Sequence, residues 1–180
     1  AHDDPDANSF VVWKGGGLVA ETDRYSKHKR SANHNTVLIN GMGQMARGRP
    51  EGTIWSQPAT GPTDMNEMAY VTACVPGDRV VVVEGEAAGS YLACLDRETG
   101  ARRPALDRFR RTFVWVEGTY LLVFDDIRAP EPVEVTWLMQ GPGLRAADAK
   151  ERRYVLEREG SEVAFQVASD GPWTATVAAS

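Results

Sequence analysis

The residues best suited to proton chemistry lie among the first thirty-six positions of the chain. All three histidines, His2, His28 and His34, fall in this stretch, together with Tyr25. A histidine exchanges protons near neutral pH, and a tyrosine can do so when cationic neighbours lower its pKa. His2 and Tyr25 are therefore the candidate acid–base residues. The alternative for Tyr25 is an aromatic at a strand edge, with a packed ring and a hydrated hydroxyl.

The same stretch contains residues that could bind a cation. Asp4, Glu21 and His34 lie on three segments that a hairpin and a return strand could bring together. Carboxylate oxygens and an imidazole nitrogen suit zinc, and an oxygen-rich set also suits Mn²⁺ or Ca²⁺. The spacing matches no compact metal motif. The alternative is that Asp4 and Glu21 cap turns while His34 forms hydrogen bonds at the start of a strand.

The charge of the chain restricts its partners. A formal net charge of −5 argues against nucleic acid, because affinity for phosphate backbones comes mostly from Lys and Arg. It also argues against an acidic polysaccharide, unless positive charge is gathered locally. Lys27 and Arg30 belong to such a cluster and are the candidate substrate-binding residues; the alternative is a solvated loop. The cluster consists of Lys27, His28, Lys29, Arg30, Arg47 and Arg49.

Length and composition predict one globular domain. A chain of 180 residues can bury a substantial core as a single unit over residues 1–180. No apolar run reaches membrane-spanning length, so we expect no membrane segment. No signal peptide is visible, and a start at Ala1 is typical of a piece of a longer polypeptide. Cys74 and Cys94 are too few for a disulfide framework; they could form a bridge or stay as two buried free thiols.

Hydrophobic periodicity predicts strands almost everywhere and no long helix. About a dozen short strands, with turn signals between them, predict an all-β, antiparallel β-sandwich. The valine run 80–83 and the alternation in 113–116 predict strands covered on both faces. Residues 96–104 are interpreted as a charged connection. The predicted strands are 9–14, 18–21, 36–39, 68–75, 79–86, 90–95, 108–116, 119–127, 133–140, 153–158, 162–168 and 173–177.

Several stretches resemble the heparinase II/III-like polysaccharide lyases. Residues 2–10, His-Asp-Asp-Pro-Asp-Ala-Asn-Ser-Phe, resemble the family signature His-x-His-x-Asp-x-x-Ser-Phe. Residues 18–25 resemble an apolar run followed by Asp-x-Gly-x-Tyr, and residues 30–36 resemble Arg-Ser-x-x-His-Asn-Thr. The hairpin over 110–126, followed by Trp137, also resembles the C-terminal pattern of the family. The resemblance therefore covers most of the chain.

The resemblance implies a fold, an activity and a location. These lyases join an N-terminal α/α toroid, absent from this chain, to a C-terminal antiparallel β-sandwich, which this chain resembles. They cleave acidic, uronic-acid-containing polysaccharides by β-elimination in the periplasm or outside the cell. The first signature histidine matches His2, and a tyrosine that the sandwich sometimes contributes matches Tyr25. Because other catalytic groups come from the toroid, we expect the chain alone to be inactive.

The resemblance also implies one zinc ion. Its usual ligands are the second signature histidine, the Asp of Asp-x-Gly and the histidine of His-Asn-Thr, which match Asp4, Glu21 and His34. Two of these positions depart from the family pattern, since Asp replaces His and Glu replaces Asp. A harder cation such as Ca²⁺ or Mn²⁺, or an empty site, is then compatible with the sequence. The alternative function is a non-catalytic carbohydrate-binding or structural sandwich with a decayed site.

Overall fold

The fold is built almost entirely from antiparallel strands. The structure, a computed structural model, describes residues 4–13, 17–19, 30–44, 69–95, 102–148 and 150–177. These residues contain thirteen strands and two short 3₁₀ turns, Ser31–Asn33 and Ala88–Ser90. The strands are β1 (Val12–Trp13), β2 (Gly17–Val19), β3 (Val37–Ile39), β4 (Tyr70–Val75), β5 (Val80–Glu86), β6 (Leu92–Leu95), β7 (Arg102–Pro104), β8 (Arg108–Val116), β9 (Tyr120–Arg128), β10 (Val135–Trp137), β11 (Arg145–Asp148), β12 (Arg153–Arg158) and β13 (Ser161–Gln166).

The largest sheet has the order β4-β5-β8-β9. Its valine-rich and aromatic segments favour strands, because branched and ring side chains pack well on a pleated surface. A tight turn joins β8 to β9, with Gly118 at a φ of +67°, which glycine adopts without a steric penalty. The register pairs Arg111 with Asp125 and Arg110 with Asp126. Since successive side chains point to opposite faces, these two charged rows lie on opposite sides of the sheet.

Smaller sheets complete the architecture. A three-stranded sheet has the order β11-β12-β13, and β2 packs against β12 and β13. Strand β3 pairs with β10, although nearly a hundred residues separate them in sequence, as in the pair Leu38 and Thr136. Two further two-stranded sheets are β1-β2 and β6-β7. The pairing of β3 with β10 brings the segment before β3 next to the segment after β10.

The main core lies where the large sheet meets β3 and the turn before β6. Phe109 and Tyr91 make an edge-to-face contact at its centre, with ring centroids 5.7 Å apart. Such contacts combine the burial of apolar surface with a favourable quadrupole arrangement. Val19 of β2 and Leu156 of β12 are also buried, and these two strands pack against each other. The buried apolar residues of the main core are Val37, Ile39, Ala87, Ala88, Tyr91, Leu106 and Phe109.

The predicted all-β sandwich is confirmed. The hairpin predicted across Glu117 and Gly118 forms as β8 and β9, and the strand predicted at 153–158 coincides with β12. After β3 the chain turns at Asn40 and Gly41, with φ values of +52° and +70°, because both residues tolerate the left-handed region. That residues 1–180 are a single domain stays a prediction.

Other local predictions are wrong. Residues 173–177 alternate in polarity but form no strand, and the strand predicted at 133–140 extends only over Val135–Trp137. Conversely, β7 lies within the predicted connection 96–104, and β11 was not predicted. Alternation shows that a segment can pair, but a strand also needs a neighbouring strand with free backbone groups.

The expected coverage of two strands and the expected state of a cysteine also require correction. Val80 is 44% exposed and the rest of the valine run is half-buried, so β5 is not covered on both faces. Trp115 in β8 is likewise exposed. Cys74 is a free thiol and is exposed on β4, so it forms no bridge with Cys94 and is not buried. An antiparallel sheet commonly has one solvated face, which explains the open valine surface.

Candidate functional site

The structure describes three of the seven residues predicted to act in a site. Asp4 and Arg30 are exposed, whereas His34 is only 1% exposed. His2, Glu21, Tyr25 and Lys27 lie outside the described residues. The geometry of the site is therefore defined by the two segments that carry Asp4 and His34, here named the signature segment (residues 4–10) and the His-Asn-Thr segment (residues 30–36).

The two segments are joined near Asp4 by a serine hydroxyl. Ser31 Oγ donates a hydrogen bond to the carbonyl oxygen of Pro5, at 2.9 Å, and accepts one from the backbone N–H of Gln44, also at 2.9 Å. Ser31 begins the 3₁₀ turn that ends before His34, whose N–H donates to the carbonyl of Ser31. Residues 5, 31 and 34 are thus connected through one buried hydroxyl and one turn.

Further along, Ala7 is bonded through its backbone to two side chains. Its carbonyl oxygen accepts hydrogen bonds from Thr36 Oγ1 and Gln44 Nε2, each at 2.9 Å, and its N–H donates to Gln44 Oε1 at 3.0 Å. Gln44 and Thr36 are buried, so these bonds satisfy polar groups that would otherwise be costly to bury. The side-chain amide of Gln44 thus bonds both the N–H and the carbonyl of Ala7, as the backbone of a neighbouring strand would.

Asn35 joins the end of the signature segment to the segment that follows β10. Its N–H donates to Ser9 Oγ at 3.0 Å, and its Nδ2 donates to the carbonyl of Phe10 at 2.8 Å. Its Oδ1 accepts from the N–H of Gln140, whose own side chain donates to the carbonyl of Ala32. Asn35 is completely buried and uses both ends of its amide. An apolar residue at this position would leave two backbone groups, the carbonyl of Phe10 and the N–H of Gln140, without these partners.

A buried arginine from the large sheet reaches both segments. Arg111 is 0% exposed, and its Nε and Nη2 donate to the two carboxylate oxygens of Asp125 at 2.7 and 2.8 Å. Its Nη1 donates to the carbonyl oxygens of Asn8 and Asn35, each at 2.7 Å. Three aromatic rings surround the guanidinium. They are Phe10, Phe109 and Trp137, with centroids 5.9, 5.4 and 5.9 Å from its central carbon.

Asn8, whose carbonyl accepts a hydrogen bond from this arginine, has a left-handed backbone conformation. Asn8 has a φ of +58°, a conformation that asparagine accepts more readily than most residues. Its side-chain Nδ2 donates to the carbonyls of Gly85 and Phe109 on the large sheet, at 3.2 and 3.1 Å. A Cβ at Gly85 would overlap Asn8 Oδ1. The absent side chain of Gly85 therefore allows the signature segment to lie directly on β5.

Tyr91 is a structural member of the same buried network. Its hydroxyl donates to the carbonyl of Val37 at 2.9 Å and accepts from Gln44 Nε2 at 3.2 Å, with Thr36 Oγ1 at 3.3 Å. Burial raises the pKa of Tyr91, and the surrounding hydrogen bonds only partly oppose this effect. Its phenol is accordingly neutral at physiological pH and orders the network around β3.

The opposite face of the sheet carries a solvent-exposed ion network. Arg108 Nη1 contacts Asp126 Oδ2 at 2.7 Å, and Arg128 Nε contacts Asp126 Oδ1 at 3.3 Å. The hydrogen bond from Arg108 is the largest cause of a lowered pKa at Asp126. This network faces away from the signature segment, because Asp126 and Asp125 are successive residues of one strand.

A glutamate on β5 continues this outward polar surface. Glu84 accepts hydrogen bonds from Thr72 Oγ1 at 2.6 Å and Thr112 Oγ1 at 3.1 Å. These two hydroxyls are the leading causes of a lowered pKa at Glu84. Both hydroxyls are neutral, so their dipoles hold this carboxylate. The two bonds connect β5 to β4 and to β8.

Of the three residues proposed to bind a cation, Asp4 and His34 are described by the structure, and Glu21 lies outside the described residues. The Ser31–Pro5 bond places the residue after Asp4 against the turn that ends at His34. A carboxylate and an imidazole fit zinc, and additional carboxylate oxygen would also suit a harder cation. Among the described residues, no group of three His, Cys, Asp or Glu side chains could hold a metal ion. The described part of the chain thus supplies two of the three proposed ligands.

Comparison with known families identifies the family of the chain. A profile of the family Heparinase II/III-like, C-terminal matches residues 1–180, which is the whole chain. The chain belongs to this family. A search of curated proteins finds no match. This family membership supports the assignment of the chain to a group of polysaccharide lyases. Within the described ranges, no helix is long and apolar enough to cross a membrane.

In this Heparinase II/III-like domain, sequence reasoning missed the residues that hold the site together. Arg111 lies between Phe109 and Phe113 in a strand, so alternation places it on the face of those two aromatic residues. A charge on such a face needs a partner. Counting back equally from the turn at Gly118 gives Asp125 as the cross-strand neighbour. The signal for this pair was therefore present in the hairpin alone.

Proposed function

We propose that the chain is the C-terminal β-sandwich domain of a lyase that cleaves uronic-acid-containing polysaccharide by β-elimination. The observation that carries this proposal is the buried network joining the signature and His-Asn-Thr segments, which are the stretches that resemble the lyases. Most of its hydrogen bonds fix backbone atoms, as with Ala7 and Thr36. Such a network holds a local backbone geometry, which is the requirement for presenting catalytic side chains.

The proposed reaction removes a proton and a leaving group from adjacent carbons. A base takes the proton from C5 of a uronic acid, the C4–O bond breaks, and a C4=C5 double bond forms. The departing glycosidic oxygen receives a proton from an acid, while a cationic or hydrogen-bonding group neutralises the substrate carboxylate. We assign one of these roles to His2, with Tyr25 as the second candidate. Lys27 and Arg30 are proposed to bind substrate carboxylates.

A divalent cation is proposed beside this machinery. Asp4, Glu21 and His34 would hold it, with zinc the first choice and Ca²⁺ or Mn²⁺ the alternatives because of the carboxylates. When bound, it would cross-link the segments that carry its ligands. Asp4 at the signature segment and His34 at the His-Asn-Thr segment lie on the two sides of the hydrogen bond from Ser31 to Pro5.

The remaining catalytic groups are proposed to come from an N-terminal α/α toroid of the same protein. The acidic polysaccharide would bind between the toroid and the sandwich, in the periplasm or outside the cell. No nucleic-acid or membrane partner is proposed, because the chain carries a net charge of −5 and lacks a long apolar run.

The proposal is tested by the ultraviolet absorbance of the unsaturated uronate product. The full-length protein should generate this product from at least one of alginate, heparinoid or another uronic-acid polymer, and the 180-residue chain should not. Activity from the chain alone would contradict the need for a toroid. Absence of product from the full-length protein across all of these polymers would contradict the lyase.

A second candidate function is a non-catalytic carbohydrate-binding or structural sandwich. It is favoured by Asp4 and Glu21, which replace the family's His and Asp at proposed ligand positions. Metal analysis and a His2→Ala variant of the full-length protein discriminate between the two. A lyase should lose rate on replacement of His2, by about 10²- to 10⁴-fold. A decayed site should contain no stoichiometric metal and show no rate to lose.

A further inference from the structure

One nitrogen atom bridges the two segments of the site. Arg111 Nη1 donates to the carbonyl oxygens of Asn8 and Asn35, both at 2.7 Å. Asn8 belongs to the signature segment, and Asn35 follows His34 in the His-Asn-Thr segment. Loss of this nitrogen would therefore remove one bond from each segment and the link between them.

The position of the nitrogen is fixed from the other side of the guanidinium. Asp125 accepts hydrogen bonds from Nε and Nη2 at 2.7 and 2.8 Å. These two parallel bonds fix the orientation of the guanidinium relative to the carboxylate. The rings around it restrict rotation out of that plane. Only arginine has enough donors in a rigid fork to make all four bonds; lysine has one nitrogen on a flexible stem.

Other bonds between the segments do not involve Arg111. Ser31 bonds to Pro5, Thr36 bonds to Ala7, and Asn35 bonds to Ser9 and Phe10. If the arginine is altered conservatively, these bonds remain to keep the segments attached. The expected defect is consequently a change in alignment rather than a release of the signature segment.

We propose that Arg111, oriented by Asp125, is a positioning residue for the site formed by the signature and His-Asn-Thr segments. This inference rests on the proposed function for its effect on turnover. Arg111 is buried beneath the backbone and acts through Asn8 and Asn35. It sets the relative placement of the residues attached to those segments, including Asp4 and His34.

The chain offers a matched control for this residue. Arg108 lies on the same strand and contacts an aspartate at the same distance of 2.7 Å, but on the exposed face. Arg108→Lys and Arg111→Lys therefore make the same chemical change in an ion pair of the same two strands. Only the second change affects a group bonded to the site segments.

The first experiment is amide hydrogen exchange on the 180-residue chain. In Arg111→Lys, exchange of the Asn35 amide, which donates to Ser9 Oγ, should be faster by roughly tenfold or more. Amides of β12 and β13 should exchange as in the unaltered chain, and Arg108→Lys should change neither region. An unchanged Asn35 amide, or an equal acceleration of every amide, would overturn a positioning role.

The second experiment measures turnover in the full-length protein. Arg111→Lys should lower kcat by about 100-fold, with KM changed by less than about threefold, because misalignment affects the transition state more than substrate binding. Rates are compared below the unfolding temperature of both variants. A kcat equal to that of Arg108→Lys would overturn the proposal.

A third variant decides the question if Arg111→Lys does not fold. Asp125→Asn retains the arginine and its bonds to the two carbonyls but removes one charged acceptor. It should show the same pattern, faster Asn35 exchange and lower kcat, at a smaller amplitude; normal values of both would contradict the proposal. If the unaltered full-length protein makes no unsaturated product, the proposed function fails, while the exchange result still decides whether Arg111 positions the segments.

Discussion

The two faces of the β8–β9 ribbon carry ion pairs of equal length in different surroundings. On the inward face, Arg111 meets Asp125 at 2.7 Å, with side chains 0% and 17% exposed. On the outward face, Arg108 meets Asp126 at the same distance, with side chains 31% and 47% exposed. The distance between charges therefore does not distinguish a structural ion pair from a surface one.

The difference lies in what else each arginine contacts. Arg111 also donates to two backbone carbonyls and is enclosed by aromatic rings, so its loss would leave a carboxylate and two carbonyls poorly satisfied. Water can replace Arg108 at Asp126, because solvent reaches both side chains. The inward pair thus stabilises a specific arrangement of segments, whereas the outward pair mainly contributes to surface charge.

The largest predicted effect is the loss of the inward arginine. Arg111→Ala should lower the free energy of unfolding by about 3–5 kcal/mol, because removing one partner leaves buried polar groups without compensation. Urea unfolding of the 180-residue chain measures this change. Arg108→Ala is the control and should leave the midpoint nearly unchanged. Equal midpoints for the two variants would remove the distinction between the faces.

A glycine in the same cross-strand row should give the next largest effect. Gly85 pairs with Arg111 and lies against Asn8, whose Oδ1 a Cβ would overlap. Gly85→Ala should destabilise the fold by about 1–3 kcal/mol through overpacking. Gly171→Ala is a suitable control, since no atom lies within 4 Å of the added Cβ. Thermal unfolding compares the two, and a Gly85→Ala melting temperature no lower than the control would contradict the close packing.

A single buried hydroxyl tests the polar network beside the inward pair. Tyr91→Phe keeps the ring against Phe109 but removes the bonds to Val37 and Gln44. We expect a loss of about 1–2 kcal/mol, because one carbonyl and one amide lose a partner while little volume changes. Chemical denaturation measures it. A variant as stable as the parent would indicate that water or a rearranged Gln44 satisfies these groups.

The smallest predicted effect is a pH dependence on the outward face. The pKa of Asp126 is lowered from 3.8, chiefly by Arg108, so the folded state binds this proton less readily than the unfolded state. The stabilising contribution is present above pH 3.8 and is lost as the pH falls through the lower folded pKa. Asp126→Asn should slightly flatten the fall in melting temperature on acidification below pH 3.8. An identical acid limb in both proteins would show that the pair contributes nothing.

The sequence predicts local geometry better than the contacts between distant segments. The β8–β9 hairpin, its turn at Gly118 and the inward side of Arg111 all follow from alternation and turn chemistry. By contrast, the pairing of Gln44 with Ala7 could not be predicted, because it joins loop residues that no periodic pattern relates. Residues 173–177 show the reverse problem, since their pattern fits a strand but no strand forms.

The family resemblance indicated two segments for the candidate site but assigned no role to the residues that hold them together. Ser31, Asn35 and Thr36 are polar residues of the His-Asn-Thr segment. In the structure, each donates a hydrogen bond to a backbone carbonyl of the signature segment. The roles of His2, Glu21, Tyr25 and Lys27 stay predictions, because these residues lie outside the described ranges. Motif spacing identifies which segments meet, while burial and hydrogen bonds determine how they are held.

The most direct measurement is the rate of unsaturated-uronate formation at saturating polysaccharide by three full-length proteins. These are the unaltered protein, Arg108→Lys and Arg111→Lys. We predict equal rates for the first two and a rate about 100-fold lower for the third, because only Arg111 bridges the site segments. Equal rates for both variants would contradict the role of the inward face, and no product from any of the three would contradict the lyase itself.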